Sequence, residues 1–160
     1  MSNKTIEEKL TEPLSDADIS QYLPAELLRD WNGKLPCVVL YEKTPLNGHW
    51  SLILRTKNNN GEPCIEFFDS YGMLPDECLK VMDKRYQPKL VKWLLKNGGA
   101  ISYNPIQYQK HDPMIATCGR HCIMRWMARH LSQKEYKKRL DKLTNLTGLD
   151  YDELSTIIVP

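Results

Sequence analysis

The chain has 160 residues, of which 41% are hydrophobic and 26% charged, with 22 basic and 20 acidic side chains. This length predicts one domain with its own core, and the balanced charge excludes a strongly basic nucleic-acid module. No apolar run reaches the ~18 residues of a membrane helix, and the polar N-terminus contains no signal-peptide core. The odd number of cysteines, five, favours a reducing compartment over a disulfide scaffold.

The N-terminal part of the chain predicts an arm, two helices and a strand. Residues 1–14 are polar and are expected to form a flexible arm. A Ser-x-x-Asp capping pattern predicts a short helix over 15–22, and a proline at its first position favours a second helix over 24–31. The apolar run 37–41 predicts a strand, and a loop is expected over 45–48.

An Asn-Gly turn at 60–61 predicts an antiparallel hairpin between strands over 50–56 and 64–68. In a hairpin the numbers of paired residues have a constant sum, here roughly 118 to 121 for a loop centred near residue 59 or 60. The position opposite His49 then falls between Asp69 and Gly72. A carboxylate at that place can accept the imidazole N–H and orient the ring. Taken singly, His49 is also typical of a surface residue and Asp69 of a turn former.

The C-terminal half predicts mostly helices. They are expected over 75–84, 89–95, 118–131, 132–143 and 150–158, with a strand over 100–104 that 106–108 extends. Helices, then strands broken by helices, then helices again predict an α+β fold. The helix over 132–143 is basic, which is typical of a solvated face and is compatible with a nucleic-acid contact.

Cys118 is placed where a thiol becomes reactive. Thr117 is a candidate N-cap, so Cys118 opens a helix and feels the positive end of its macrodipole, which lowers a thiol pKa. Gly119 leaves room for a substrate carbonyl, and the unpaired backbone N–H of Cys118 can bind a developing oxyanion. Gln109 can supply a second donor from its side chain.

Two other interpretations of these residues are open. Most free cysteines are small buried apolar residues, and Cys122, one turn further on, fits that description. A zinc site formed by Cys118, His121, Cys122 and His130 is weakly supported, because the second ligand pair of a structural site is missing.

Three sequence blocks in this order resemble the adenain-like cysteine proteases, which are relatives of the SUMO-deconjugating proteases. They are Gly-His-Trp at 48–50, Phe-Phe-Asp-Ser-Tyr-Gly at 67–72 and Thr-Cys-Gly-Arg-His-Cys at 117–122. The resemblance runs from about Leu14 to the C-terminus and is nearest to the virophage and transposon branch. It implies a papain-related fold in one domain over 15–160, with a small mixed sheet flanked by helices and the nucleophile at a helix N-terminus.

The resemblance also assigns roles to residues. It makes Cys118 the nucleophile, His49 the general base and then acid, and Asp69 the group that orients His49. The family's oxyanion glutamine lies six or seven residues before the nucleophile, where this chain has none, so Gln109 is the nearest candidate, with Gln107 behind it. Trp50 would line the substrate channel or pack in the core, and Gly119 would border the bound substrate.

The function implied is an endopeptidase that cleaves capsid or other virion precursor proteins after small residues, often glycine. The resemblance implies no metal or cofactor, and no membrane association is expected. The protein is expected to be a monomer in the host cytoplasm and the virion. Whether a peptide or DNA activates the enzyme is left open. The competing functions are an isopeptidase for a ubiquitin-like modifier, an acyltransferase, and a catalytically silent binding module.

Overall fold

A five-stranded mixed sheet organises the part of the chain that the computed structural model describes, residues 21–24, 35–44, 47–78, 89–97 and 100–160. In spatial order its strands are β1 (Gln21–Pro24), β2 (Cys37–Thr44), β3 (Asn47–Lys57), β4 (Pro63–Asp69) and β5 (Ile101–Tyr103). The two outer pairs are parallel and the two inner pairs antiparallel. The predicted arm over 1–14 lies outside the described residues.

Among the described residues, four helices accompany the sheet: α1 (Lys89–Asn97), α2 (Cys118–Met127), α3 (Gln133–Thr147) and α4 (Tyr151–Ile158). The predicted α+β class and mixed sheet are therefore confirmed. None of the described helices is long and apolar enough to cross a membrane.

Both faces of the central strands are covered. One face of β2 to β4 packs with α2 and α3 in a cluster that includes Cys118, and the other packs with Leu90 and Leu94 of α1. Two-sided burial explains why the run over 37–41 is continuously apolar rather than alternating. The nucleophile candidate thus opens a helix that is packed on the sheet.

The hairpin of β3 and β4 has the predicted register. Ser51 pairs with Asp69, so paired numbers sum to 120, and the position opposite His49 is Tyr71. The connecting loop is wider than a two-residue turn, because Asn58 N–H donates to the Glu62 carbonyl at 2.8 Å. Gly61 has a φ of +81°, a conformation that glycine adopts without steric cost.

The prediction of a helix over 15–22 is wrong for its last two residues, 21 and 22. Gln21–Pro24 is strand β1 and pairs in parallel with the start of β2. Pairing along an open sheet edge satisfies several backbone groups, and it outweighs a local cap worth about 1 kcal/mol. Pro24 ends this edge strand, a position that tolerates its missing N–H. The remainder of both predicted helices, 15–20 and 25–31, lies outside the described residues.

Strand β3 begins earlier than predicted. Asn47 and Gly48 were expected in a loop, but they pair with Thr44 and Glu42 of β2. The predicted strand over 37–41 likewise continues to Thr44. Because the two strands extend each other, His49 lies inside a paired strand rather than at its open end.

A helix does not begin at 75, because residues 75–78 form turns. Asp76 has a φ of +65°, outside the helical region. Its carboxylate accepts the N–H of Val91 at 2.9 Å and its own N–H donates to the Tyr41 hydroxyl at 2.8 Å. These tertiary bonds outweigh the local helix signal of the proline. The rest of that predicted helix, 79–84, lies outside the described residues.

Strand β5 is confirmed but short. The predicted extension over 106–108 is wrong, since Ile106 N–H donates to the Asn104 side chain at 3.0 Å and Tyr108 N–H to the Ser70 carbonyl at 2.8 Å. Because these N–H groups bond Asn104 and Ser70 and not a neighbouring strand, the segment leaves the sheet and leads into the loop that precedes Cys118.

Helix α2 ends at Met127, before the predicted end at Leu131. The guanidinium of Arg125 donates to the carbonyls of Ala128 and Leu131, each at 2.9 Å, and the Thr56 hydroxyl donates to the Arg129 carbonyl at 2.7 Å. Those carbonyls have partners outside the helical pattern, so the chain turns there.

The predicted starts of the last two helices are confirmed, and a capping box forms at each of them. Ser132 accepts the Glu135 N–H and Asp150 accepts the Glu153 N–H, and both glutamates return a bond to the cap residue. Helix α3 continues past 143 until Gly148, which has a φ of +73° and terminates it.

Candidate active site

His49 and Asp69 form a hydrogen-bonded pair across the hairpin. Nε2 of His49 lies 2.7 Å from Oδ2 of Asp69, although the directly opposite partner of Asp69 is Ser51. His49 and Ser51 are two residues apart on one strand, so their side chains share a face and His49 reaches Asp69 diagonally. The Asp69 side chain is 1% exposed and that of His49 is 12% exposed.

The Asp69 carboxylate is held by more than the histidine. The Ser51 hydroxyl donates to Oδ2 at 2.8 Å and the Tyr71 N–H donates to Oδ1 at 2.8 Å. The Asn104 amide donates to the Asp69 carbonyl at 2.7 Å. A buried charge with several donors is stabilised in one orientation, which in turn fixes the His49 ring.

Cys118 lies against the other side of the imidazole. It is 9% exposed, in the first turn of α2, and is hydrogen-bonded to His49. Because Nε2 of His49 is bonded to Asp69, Nδ1 is the ring nitrogen left for the thiol. The predicted Cys118, His49 and Asp69 are thus brought together.

The two groups shift each other's pKa in opposite directions. Burial alone raises the pKa of the Cys118 thiol, but the hydrogen bond and charge of His49, with the N–H groups of Trp50 and Gly119, lower it overall. Burial alone lowers the pKa of His49, but its bonds to Asp69 and Cys118 outweigh this effect and raise it to about 10. This arrangement favours a thiolate beside an imidazolium.

The other cysteines show the opposite effect. Burial raises the pKa of Cys37 to about 12, and it also raises the pKa of Cys64, Cys78 and Cys122. Cys64 also lies near a cation, Arg125, but only at Cys118 does the cationic partner outweigh the effect of burial on the pKa. Selective alkylation of one thiol is therefore expected.

Gln109 is buried close to the turn that follows Asp69. Its Oε1 accepts the Ser70 hydroxyl at 2.7 Å and its Nε2 donates to the Ile115 carbonyl at 3.0 Å. A primary amide has two N–H donors, so one remains for another acceptor. Gln107 donates its own amide to the Gln109 carbonyl at 3.0 Å. The oxyanion role of Gln109 remains a prediction.

Trp50 and Gly119 contribute backbone groups near the thiol. Consecutive strand residues point to opposite faces, so the Trp50 side chain leaves the His49 side and enters the core, where it is 3% exposed. This burial favours the core-packing interpretation over a wall of the substrate channel. Gly119 is also buried, and its N–H faces the Cys118 sulfur.

An aromatic stack that the sequence did not predict covers His49. The Tyr71 ring stacks on His49 with centroids 4.8 Å apart, and His111 stacks on the other face of Tyr71 at 4.4 Å. The turn that presents Tyr71 needs glycine at 72, where φ is +74° and a Cβ would lie 2.9 Å from the Pro105 carbonyl oxygen.

Asp152 of α4 is a second residue that the sequence did not reveal. Its Oδ1 accepts the Thr117 hydroxyl at 2.6 Å and Nε2–H of His121 at 2.9 Å, and its Oδ2 accepts the Lys110 N–H at 3.0 Å. The prediction that the Thr117 side chain caps α2 is therefore wrong, because its hydroxyl is bonded to Asp152. One carboxylate holds the residue before the nucleophile, the first turn of its helix and the preceding loop.

Replacing Asp152 with asparagine is expected to lower the free energy of unfolding by about 1–3 kcal/mol at pH 7, because the Lys110 N–H loses its acceptor. Burial raises the pKa of Asp152, but bonds from His121, Thr117 and Lys110 lower it overall. A lowered folded pKa means that the stabilisation exists above the unfolded pKa and is lost as pH falls through the folded value. Urea denaturation of both proteins at neutral and acid pH measures this difference.

Asp141→Asn is the matched control for that experiment. Asp141 is a half-exposed acceptor on α3 that bonds Lys137 and Tyr151, away from Thr117. Its replacement is expected to leave the pH dependence of Cys118 alkylation unchanged, whereas Asp152→Asn weakens the low-pH reactivity. Equal effects of the two variants on alkylation would show that Asp152 acts only through global stability.

The zinc interpretation finds no geometric support. Nε2 of His121 bonds Asp152, and the Cys122 thiol faces the Trp50 carbonyl at 3.6 Å. In the described parts of the chain, no group of three or more His, Cys, Asp or Glu side chains is arranged to hold a metal ion.

Comparison with known proteins gives one relationship. No protein-family model matches the chain. Over 129 residues it is 36% identical to Uncharacterized protein V9 of Sputnik virophage, in an alignment that covers 76% of this chain and 71% of the relative. The chain belongs to the V9 family. Membership of the V9 family indicates a protein of viral origin.

Proposed function

We propose that this V9-family protein is a cysteine endopeptidase with a Cys118–His49–Asp69 triad. The observation that carries the proposal is the hydrogen-bonded contact of Cys118 with His49, in which the thiol pKa is lowered and the imidazole pKa raised. A thiol that faces an imidazole whose other nitrogen is bonded to a carboxylate has the arrangement of a nucleophile activated by an oriented base.

The proposed reaction is thiol acyl transfer. The Cys118 thiolate attacks the scissile carbonyl carbon, and the carbonyl electrons move to oxygen to give a tetrahedral oxyanion. The Cys118 N–H and the remaining amide hydrogen of Gln109 stabilise that oxyanion, each contributing about 3 kcal/mol. The imidazolium of His49 protonates the leaving amine as the C–N bond breaks. Neutral His49 then removes a proton from water, which attacks the acyl-enzyme and releases Cys118.

The proposed substrates are capsid or other virion precursor proteins, cleaved after small residues during virion maturation. The virophage relative supports a viral context, and the sequence resemblance supports small-residue specificity. The protein is proposed to act as a monomer without a metal or cofactor, in the host cytoplasm and the virion. The papain-related adenain-like fold is part of the same proposal.

A peptide library with glycine varied on both sides of the scissile bond tests this function. Cleavage is expected after glycine or alanine, to be absent in Cys118→Ala, and to have a kcat about 100-fold lower in Gln109→Ala. Preferred cleavage after a bulky residue would contradict the proposed specificity. Peptides that stay intact while a ubiquitin-like conjugate is cut would make the protein an isopeptidase instead.

A further inference from the structure

A groove of about 470 Å³ lies beside α3, away from the triad. We call it the basic groove, and it is lined chiefly by Pro105, Ile106, Gln133, Lys134, Lys137 and Lys138. Pro105 and Ile106 form the apolar part of its lining, whereas most of the remaining lining residues belong to the basic helix α3. The proposed peptidase reaction uses none of these side chains.

The described lining of the groove carries a net positive charge. Three ammonium groups line it, and Lys134 and Lys138 are exposed. The single carboxylate of the lining, Asp141, is already bonded to Lys137 at 2.6 Å and to the Tyr151 hydroxyl. The free charges of this surface therefore attract anions.

A buried donor in the lining lacks an acceptor. The amide Nε2 of Gln133 is buried and has no hydrogen-bond partner among the described residues. The Ser132 capping box provides hydrogen-bond partners for the backbone at the start of α3, so the group without an acceptor is the side-chain amide of Gln133. A buried N–H without an acceptor costs about 1–3 kcal/mol, which a ligand oxygen would recover when the Gln133 amide rotates towards the groove.

The mixture of groups favours a peptide over a nucleic acid. The apolar Pro105 and Ile106 suit an aliphatic side chain, ammonium groups suit carboxylates, and an amide donor suits a peptide carbonyl. The groove lining contains no aromatic side chain on which a base would stack.

The groove wall is connected to the triad. The Asn104 amide donates to the Ile106 carbonyl at 3.1 Å and to the Asp69 carbonyl at 2.7 Å. The Pro105 carbonyl lies against Gly72, in the turn that presents Tyr71. A chain seated in the groove would touch the segment that holds the carboxylate of the triad.

We propose that the basic groove is an exosite for an acidic, leucine-like segment of the polypeptide substrate. The assignment of the occupant as substrate rests on the proposed peptidase function, but binding of the segment does not. The groove is expected to recognise alternating acidic and aliphatic residues away from the scissile bond.

Fluorescence anisotropy on full-length Cys118→Ala tests binding without cleavage. The probe is a short fluorescein-labelled peptide that alternates glutamate with leucine. Binding is expected to weaken about tenfold in Lys134→Glu/Lys138→Glu and several-fold in Gln133→Leu. It is also expected to weaken when serine replaces every leucine in the probe.

Arg139→Glu/Lys142→Glu is the matched control, because both residues are exposed on the same helix and outside the groove lining. An equal loss of binding in this variant would overturn the proposal by showing unspecific charge attraction. Tighter binding of duplex DNA than of the probe, lost in Lys134→Glu/Lys138→Glu, would overturn it in favour of a nucleic-acid site. Peptide binding that persists although Cys118 proves unreactive would refute the peptidase function and leave the groove intact.

Discussion

His49→Ala is expected to move the alkylation of Cys118 by iodoacetamide to much higher pH. In the wild-type chain the pKa of Cys118 is lowered by the hydrogen bond and charge of His49 against the opposing effect of burial. Without His49 only burial and two backbone N–H groups remain, so the thiol pKa rises and the thiolate is lost near neutrality. Since the thiolate is the nucleophile, the rate of Cys118 alkylation below pH 7 is expected to fall by at least about tenfold.

Peptide mass spectrometry across a pH series measures the reaction for all five thiols at once. Cys122, fully buried with a raised pKa, serves as the internal control and is expected to react slowly in both proteins. Wild-type Cys118 that titrates near the ordinary thiol value of ~8.5 would contradict the thiolate–imidazolium pair. Peptide cleavage is expected to decline as pH rises through about 10, where His49 loses its proton and can no longer protonate the leaving amine.

Arg125→Met is expected to lower the free energy of unfolding by about 3–5 kcal/mol, because it leaves the Glu66 carboxylate buried without its partner. Arg125 bonds Glu66 through Nε at 3.0 Å and Nη2 at 2.7 Å, and both side chains have no exposed surface. The guanidinium also packs over the Tyr136 ring at 5.0 Å. This pair joins the helix that carries Cys118 to the sheet strand that carries Asp69.

Urea denaturation of single and double variants measures this effect. Arg125→Met/Glu66→Leu is expected to recover part of the loss, since no unpaired charge remains, although the Ala128 and Leu131 carbonyls lack their donor. Lys57→Met is the matched control, because its pair with Glu135 is exposed and is expected to contribute under about 1 kcal/mol. A loss of less than 1 kcal/mol in Arg125→Met would show that Glu66 is neutralised or hydrated when alone.

Local signals predicted the parts of the site that lie close together in the sequence. The Asn-Gly turn set a register that brought His49 to Asp69, because a hairpin is closed by the few residues of its own loop. The cap residues Ser132 and Asp150 predicted two helix starts, because a cap bonds backbone groups within the same turn. The helix start at Cys118 was also predicted correctly, although the Thr117 hydroxyl bonds Asp152 instead of capping the helix.

The sequence could not predict contacts between distant segments. Asp152 reaches Thr117, Arg125 reaches Glu66 and His111 stacks on Tyr71, and none of these pairs has a periodic or capping signature. Such partners are selected by burial, since a polar group enclosed by the fold requires whatever partner the packing brings near. Gln21–Pro24 likewise forms a strand because a distant segment, the edge of β2, provides hydrogen-bond partners for its backbone.

The sequence by itself therefore determined the α+β class, the hairpin register and the position of the candidate nucleophile on its helix. The tertiary structure alone decided how the thiol, the imidazole and the carboxylate are oriented and charged. Orientation depends on groups from β3, β4, α4 and the loops, which meet only when the core closes. The pKa changes depend on the burial that this closure produces.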